Sequence, residues 1–189
     1  GDVGPNGEQG FKAEKGRNHL YVSLACPWAH RTLIFRALKG LQEYIDVTAV
    51  EPIMLENGWE LRDPLYGFDY AYQLYLKADP SYEGRVTVPI LRDKHTQTIV
   101  SNESSEIIRM FNTAFNHLTG NQTDYYPESL RGQIDAINTR VYDTINNGVY
   151  LSGFATTQQA YEKAFKALFS SLDWVEDILS KQRYLAGEQ

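Results

Sequence analysis

Leu20-Tyr21-Val22-Ser23-Leu24-Ala25-Cys26-Pro27-Trp28-Ala29 runs from a short apolar strand into a proline that opens a helix, and it holds the single cysteine of the chain. Pro27 suits the first helical position, because its fixed φ is helical and the N–H it lacks would have had no partner there. Cys26 therefore falls at the helix cap. Its sulfur can face the free N–H groups of Trp28 and Ala29 and the positive end of the helix dipole, and both favour thiolate over thiol. A lone intracellular cysteine is ordinarily a small buried hydrophobe; this position argues for redox or transfer chemistry. Ala29 stands where a dithiol motif would have its second cysteine, so an external thiol has to regenerate Cys26.

Outward from this stretch, His19 to Ser23 reads as a strand and Trp28 to Leu38 as a helix ended by Gly40, with Ile45 to Val50 as the next strand. Strand, helix, strand implies a parallel pair with a right-handed crossover. Residues 51–80 carry Pro52, Gly58, Pro64 and Gly67 and read as an irregular insertion. Arg85 to Leu91 and Gln97 to Val100 predict a hairpin across Arg92 to Thr96, followed by a helix over about 102–112. The order βαβ then ββα is that of a thioredoxin-like α/β sandwich. Pro89, inside the run Val86-Thr87-Val88-Pro89, cannot donate to a central ladder. In such a fold a cis proline here would turn the backbone of Val88 toward an extended peptide, while a trans proline starting an edge strand is the other reading.

These elements predict an extended lead-in over 1–16, a thioredoxin-like domain over 17–115, a linker over 116–127 and an all-helical domain over 128–189. In the helical part, Glu128 to Asn146 has apolar residues at three-to-four spacing and Asn147-Gly148 is predicted to terminate it. Thr156 or Thr157 caps the next helix, whose stripe of Tyr161, Ala164, Phe165, Leu168, Phe169, Leu172, Val175 and Leu179 is expected to be core.

The chain has 189 residues, with 18 basic against 24 acidic side chains and a formal charge of −6, which argues against a dedicated nucleic-acid binder. One cysteine rules out an intrachain disulfide framework, and the four histidines lie too far apart to suggest a metal site. No apolar run approaches the roughly 18 residues of a membrane span, and no signal peptide is read, so a soluble protein of a reducing, cytoplasmic compartment is expected, with no membrane partner.

Ser101-Asn102-Glu103-Ser104-Ser105-Glu106 opens the third helix of the first domain. These are capping residues, yet a helix start also attracts carboxylates, and a carboxylate beside it receives an ammonium group. Glu103 and Ser104 can thus grip the two charges of an α-amino acid terminus. A thiol tripeptide with a γ-glutamyl end satisfies three sites together, with Cys26 at its sulfur, Val88 along its backbone, and Glu103 and Ser104 at its head. The ligand implied is glutathione, as co-substrate.

Cys26-Pro27-Trp28-Ala29-His30-Arg31, Asn57-Gly58-Trp59, Gly84-Arg85-Val86-Thr87-Val88-Pro89, Ser101-Asn102-Glu103-Ser104 and Asn146-Asn147-Gly148-Val149-Tyr150-Leu151-Ser152-Gly153-Phe154-Ala155 resemble the Xi-class glutathione transferases, the glutathionyl-hydroquinone reductases, from about Gly10 to the last residue. The resemblance implies a thioredoxin-like domain followed by a transferase-type helical domain. It implies Cys26 as nucleophile, Val88 pairing with the tripeptide backbone, Glu103 and Ser104 on the γ-glutamyl group, a cis Pro89, and Trp59 and Arg85 near glutathione. Tyrosines of the helical domain contact the hydroquinone in this family, and Tyr142 and Tyr150 are the candidates here. The chain is expected to release hydroquinone from a glutathionyl-hydroquinone through a mixed disulfide, as a homodimer. An Omega-like thiol transferase and a non-catalytic glutathione or hydrophobic-ligand module are the alternatives. Two departures stand out. The segment between Trp59 and Tyr72 reads as shorter than in the family, and the chain stops where the family continues into further helices, so the helical domain reads as cut or its pocket as incomplete.

Overall fold

The computed structural model describes residues 1–188. The chain forms two compact units that divide between Tyr125 and Tyr126.

In the first unit, strand β3 (Asn18–Val22) lies at the centre, preceded by β1 (Asp2–Gly4) and β2 (Gly10–Lys12) and followed by helix α1 (Pro27–Leu38), β4 (Asp46–Ala49), α2 (Ala71–Ala78), β5 (Ile90–Asp93), β6 (Thr98–Ser101) and α3 (Ser104–Thr113). The main sheet has the order β4-β3-β5-β6, with β3 and β4 parallel and the other pairs antiparallel. Alternation along β3 makes this sheet two-sided. Leu20 and Val22 pack into a cluster with Leu91, Ala29, Ile107 and Phe111, whereas Tyr21 joins Ile90, Leu74, Tyr75 and Val88 on the opposite face. Each such fully buried aliphatic side chain contributes about 1.5–3 kcal/mol, which is why this short apolar run organises the unit.

Three expectations are corrected here. The strand predicted over Arg85–Leu91 begins only at Ile90. Pro89 brings no N–H to a ladder, and the backbone of Thr87 bonds instead to a side chain: the Tyr75 hydroxyl donates to Thr87 O at 2.8 Å and lies 3.3 Å from Thr87 N. Residues 1–16 are more than a lead-in. β1 and β2 pair in parallel, Val3 and Ala13 are buried, and Val3 N lies 3.1 Å from Met110 Sδ of α3. The stretch 116–127, read as a linker, contains helix α4 (Asn116–Thr119), and its following residues are tied down: Lys39 Nζ donates to the carbonyls of Asn121 (3.0 Å) and Thr123 (2.5 Å), and Asn112 Nδ2 to Asp124 Oδ1 (2.7 Å).

The second unit has a 3₁₀ turn (Glu128–Leu130), α5 (Arg131–Val141), a π-helical turn (Tyr142–Asn146), α6 (Asn147–Gly153) and α7 (Gln158–Leu179). Asn147-Gly148 does not end a helix, contrary to prediction; it opens α6 with right-handed backbone. Gly148 serves packing instead, since a Cβ there would sit 3.6 Å from the Leu168 side chain of α7. Thr157 caps α7, accepting from Ala160 N at 3.2 Å. The stripe on α7 expected to be core is buried at Leu168, whereas Tyr161, Phe165, Phe169, Leu172 and Leu179 are exposed. α6 and the π-helical turn pack against this helix of 22 residues and cover only part of its face. No helix among the described residues is long and apolar enough to cross a membrane.

Candidate active site

Cys26 is the N-cap of α1, with extended backbone and Pro27 after it. Its amide donates to Ser23 O at 3.1 Å and its carbonyl accepts from His30 N at 3.0 Å, so the turn that presents the sulfur is fixed on both sides. The thiol is free and half-buried. It makes no capping hydrogen bond to the first-turn amides, where the sequence suggested it would point; it lies 3.7 Å from Val88 O instead. Beside it runs a groove of about 630 Å³ lined by Leu24, Ala25, Cys26, Pro27, His30 and Ile34, which opens the sulfur to solvent.

The Val88–Pro89 peptide is cis. Val88 sits just ahead of β5, and among the described residues no backbone–backbone hydrogen bond takes up its amide. The side chains of Cys26 and Trp59 both pack, half-buried, against the apolar cluster that contains Val88. Trp59 comes from the insertion between β4 and α2, and its carbonyl accepts from Ala71 N at 2.9 Å, which ties its loop to the start of α2.

Glu103 caps α3, with Oε1 accepting from Ser105 N at 3.3 Å and Ser105 Oγ at 3.1 Å. Ser104 opens the helix, and its hydroxyl accepts from Arg31 Nε at 2.9 Å. Arg31 also places Nη2 3.7 Å from Glu103 Oε1 and its guanidinium 5.4 Å from the centre of the Trp28 ring. Sequence reasoning gave Arg31 no role; its only local signal is a place in the Cys26-to-Arg31 motif, five residues after the thiol. Arg85 is exposed, and its carbonyl accepts from the Tyr82 hydroxyl at 2.7 Å.

One unit thus brings Cys26, Val88, Pro89, Trp59, Glu103 and Ser104 onto the start of α1, the strand edge before β5 and the start of α3. Tyr142 and Tyr150 belong to the helical unit: Tyr142 opens the π turn, and Tyr150 lies on α6 with its ring stacked on Phe154 at 6.3 Å. Among the described residues no group of three His, Cys, Asp or Glu side chains is placed to hold a metal ion. The chemistry this arrangement supports is sulfur exchange: an accessible thiol, a backbone edge for an extended peptide, and paired opposite charges at a helix start.

The family described as Glutathione S-transferase, N-terminal domain, matches residues 25–114. The chain is 58% identical over 197 residues to the glutathionyl-hydroquinone reductase YqjG of Escherichia coli, a match covering 100% of this chain and 60% of that protein. The crystal structure of glutathione transferase Xi 1 from Trametes versicolor superposes with a TM-score of 0.95 at 56% identity, over 100% of this chain and 68% of that one. The glutathione-bound structure of YqjG superposes with a TM-score of 0.94 at 55% identity, over 99% of this chain and 65% of that one. The chain spans about 60% of the length of the curated relatives it matches.

Proposed function

This chain belongs to the Xi-class glutathione transferases, and from that premise we propose that it removes glutathione from glutathionyl-hydroquinones through a disulfide on Cys26. The observation that carries the proposal is the open thiol at the start of α1, 3.7 Å from the carbonyl of the residue before the cis proline. In the first step Cys26 thiolate attacks the sulfur of the conjugate. The new bond is Cys26 S–S glutathione; the carbon–sulfur bond breaks, its electron pair stays on the ring carbon, and that carbon takes up a proton. In the second step the thiolate of another glutathione attacks the glutathionyl sulfur, giving glutathione disulfide and restoring Cys26 thiolate. One glutathione thiol supplies the proton gained by the ring, so the balance is conjugate plus glutathione to hydroquinone plus glutathione disulfide. A reducing compartment follows from this reading, because glutathione must be present as free thiol to resolve Cys26.

Within the proposal Val88 pairs with the tripeptide backbone, Glu103 and Ser104 hold the γ-glutamyl end, and Trp59 and Arg85 flank the ligand. Tyr142 and Tyr150 contact the hydroquinone, and a phenol there can deliver the ring proton, a general-acid contribution of about 10²–10⁴-fold. Assembly as a homodimer belongs to the proposal through family resemblance. Cys26→Ser tests it: turnover of a glutathionyl-hydroquinone should vanish, and the glutathionyl adduct seen by mass spectrometry after exposure of the wild type to glutathione disulfide should be missing. Undiminished reductase activity in that variant would defeat the proposal.

A further inference from the structure

We infer that Tyr75 is a positioning residue for sulfur exchange, its hydroxyl holding the backbone of Thr87 so that the next residue, Val88, presents its edge to a peptide beside Cys26. The inference rests on the glutathione reading above and adds to it what keeps the peptide-binding edge aligned with the thiol.

Tyr75 stands on α2 and is 3% exposed, with its ring in the apolar cluster that contains Val88 and Ile90. Its one proton goes to Thr87 O at 2.8 Å, and its oxygen accepts from Thr87 N at 3.3 Å and from Asn102 Nδ2 at 3.0 Å. A hydroxyl offers one donor and two lone pairs, so these three contacts exhaust it. A phenylalanine ring would fill the same core space, and the hydroxyl is therefore there for the backbone of residue 87. Tyr82 backs the arrangement, its ring centre 4.9 Å from that of Tyr75. Through Asn102, the residue before Glu103, the same oxygen ties α2 and the segment ahead of β5 to the start of α3.

Backbone alternation turns this clamp into a site. Thr87 brings both its N–H and its C=O to one oxygen atom, as an extended residue does toward one edge, and the residue after it faces the other edge. Val88 O lies 3.7 Å from Cys26 Sγ, and among the described residues no backbone–backbone hydrogen bond takes up the Val88 amide. Strand β5 begins only at Ile90, so α2 supplies from a side chain the contacts that a neighbouring strand would make on one edge of this segment. The other edge is left for a peptide. Sulfur exchange is sensitive to an ångström of misplacement, and the place of Val88 beside the thiol is set by the Tyr75 contacts. A small disulfide with no peptide main chain makes no use of that edge.

The test compares second-order rates of mixed-disulfide formation at Cys26, in which its thiolate displaces one thiolate of the probe, followed by mass spectrometry. Two probes are used: glutathione disulfide, which carries a peptide main chain, and hydroxyethyl disulfide, which has none. Tyr75→Phe should slow the reaction with glutathione disulfide about tenfold, as loss of hydrogen bonds of ordinary net strength implies, and leave the hydroxyethyl disulfide rate within about twofold. A role confined to stability would move both rates together, so equal slowing of both probes, or of neither, overturns the inference. Should Tyr75→Phe fail to fold, Asn102→Ala withdraws one donor from the same oxygen: a loss of about threefold to fivefold confined to glutathione disulfide is expected, and equal loss with both probes, or none, overturns the inference. A wild type that reacts no faster with glutathione disulfide than with hydroxyethyl disulfide would instead remove the glutathione reading itself.

Discussion

Tyr21→Phe tests how the central strand holds the loop that carries Trp59. Tyr21 is fully buried on the α2 face of the sheet, and its hydroxyl donates to Asp63 Oδ1 at 2.6 Å. The same carboxylate accepts from Leu65 N at 3.1 Å and Tyr66 N at 2.8 Å, so Asp63 joins β3 to the insertion. Within the insertion, Leu61 N donates to Asp69 O at 2.9 Å and Asp63 N to Phe68 O at 3.0 Å, which closes the loop behind Trp59. Burial first, and then the bond to Asp63, pushes the Tyr21 phenol up, so it stays a donor throughout the accessible pH range. Removing that hydroxyl keeps the ring's burial and forfeits one hydrogen bond to a charged acceptor, about 1.5–3 kcal/mol. For a chain of this size each kcal/mol moves Tm by about 2–4 °C, so a loss near 2 kcal/mol lowers Tm by about 4–8 °C. Asp63→Ala is the harsher change, because it strands the buried Tyr21 hydroxyl and two amides; about 3–5 kcal/mol is expected, and, under the proposal that Trp59 flanks glutathione, a raised KM for glutathione as the Trp59 loop loosens. Thermal unfolding by circular dichroism and glutathione kinetics read both effects. A Tyr21→Phe variant melting within about 1 °C of wild type would refute the energetic reasoning, and an Asp63→Ala variant that loses stability at unchanged KM would refute the link to Trp59.

Two further outcomes follow from the packing. His19 is 2% exposed, with Nδ1 unpartnered and Nε2 2.8 Å from Thr48 Oγ1, and burial lowers its pKa from 6.5 to about 4. The unfolded chain therefore gains a proton that the folded chain refuses between those values, so stability present above pH 6.5 is lost as pH falls toward 4, on the order of 3 kcal/mol; urea midpoints at pH 7 and 4.5 should diverge, and His19→Gln should narrow the gap. Gly148→Ala should be tolerated, since its Cβ would meet Leu168 at an ordinary 3.6 Å, whereas Gly148→Leu should cost about 1–3 kcal/mol by forcing α6 from α7, read as a lower urea midpoint.

The parts of the fold legible in the sequence are those decided within a few residues. Leu20-Tyr21-Val22 reads as a buried strand because all three side chains are apolar bodies, and the structure uses them on alternate faces. Cys26, Val88, Glu103 and Ser104 stand at the ends of elements, where backbone groups are left over, and an element end can be read from its capping chemistry. The misreadings share one cause. Val86 and Thr87 have strand-forming side chains, but the partner of the Thr87 backbone is a tyrosine hydroxyl twelve residues away. Asn147-Gly148 has the composition of a helix stop, but the glycine answers to Leu168, twenty residues on. Arg31 has the look of any solvated mid-helix cation until α3 is set beside it.

Helix α1 links these observations mechanically. It begins just after Cys26, carries Arg31 in its middle against α3, and is followed at its C-cap by Lys39, which clamps the carbonyls of Asn121 and Thr123. Because a helix is rigid along its axis, the distance from Cys26 to Arg31 is set by backbone hydrogen bonds and not by loop conformation. Disulfide exchange depends on where the attacked sulfur sits relative to its attacker, and misplacement by an ångström is costly. In the proposed reaction the Cys26 sulfur is therefore presented by the start of a helix and not by a loop.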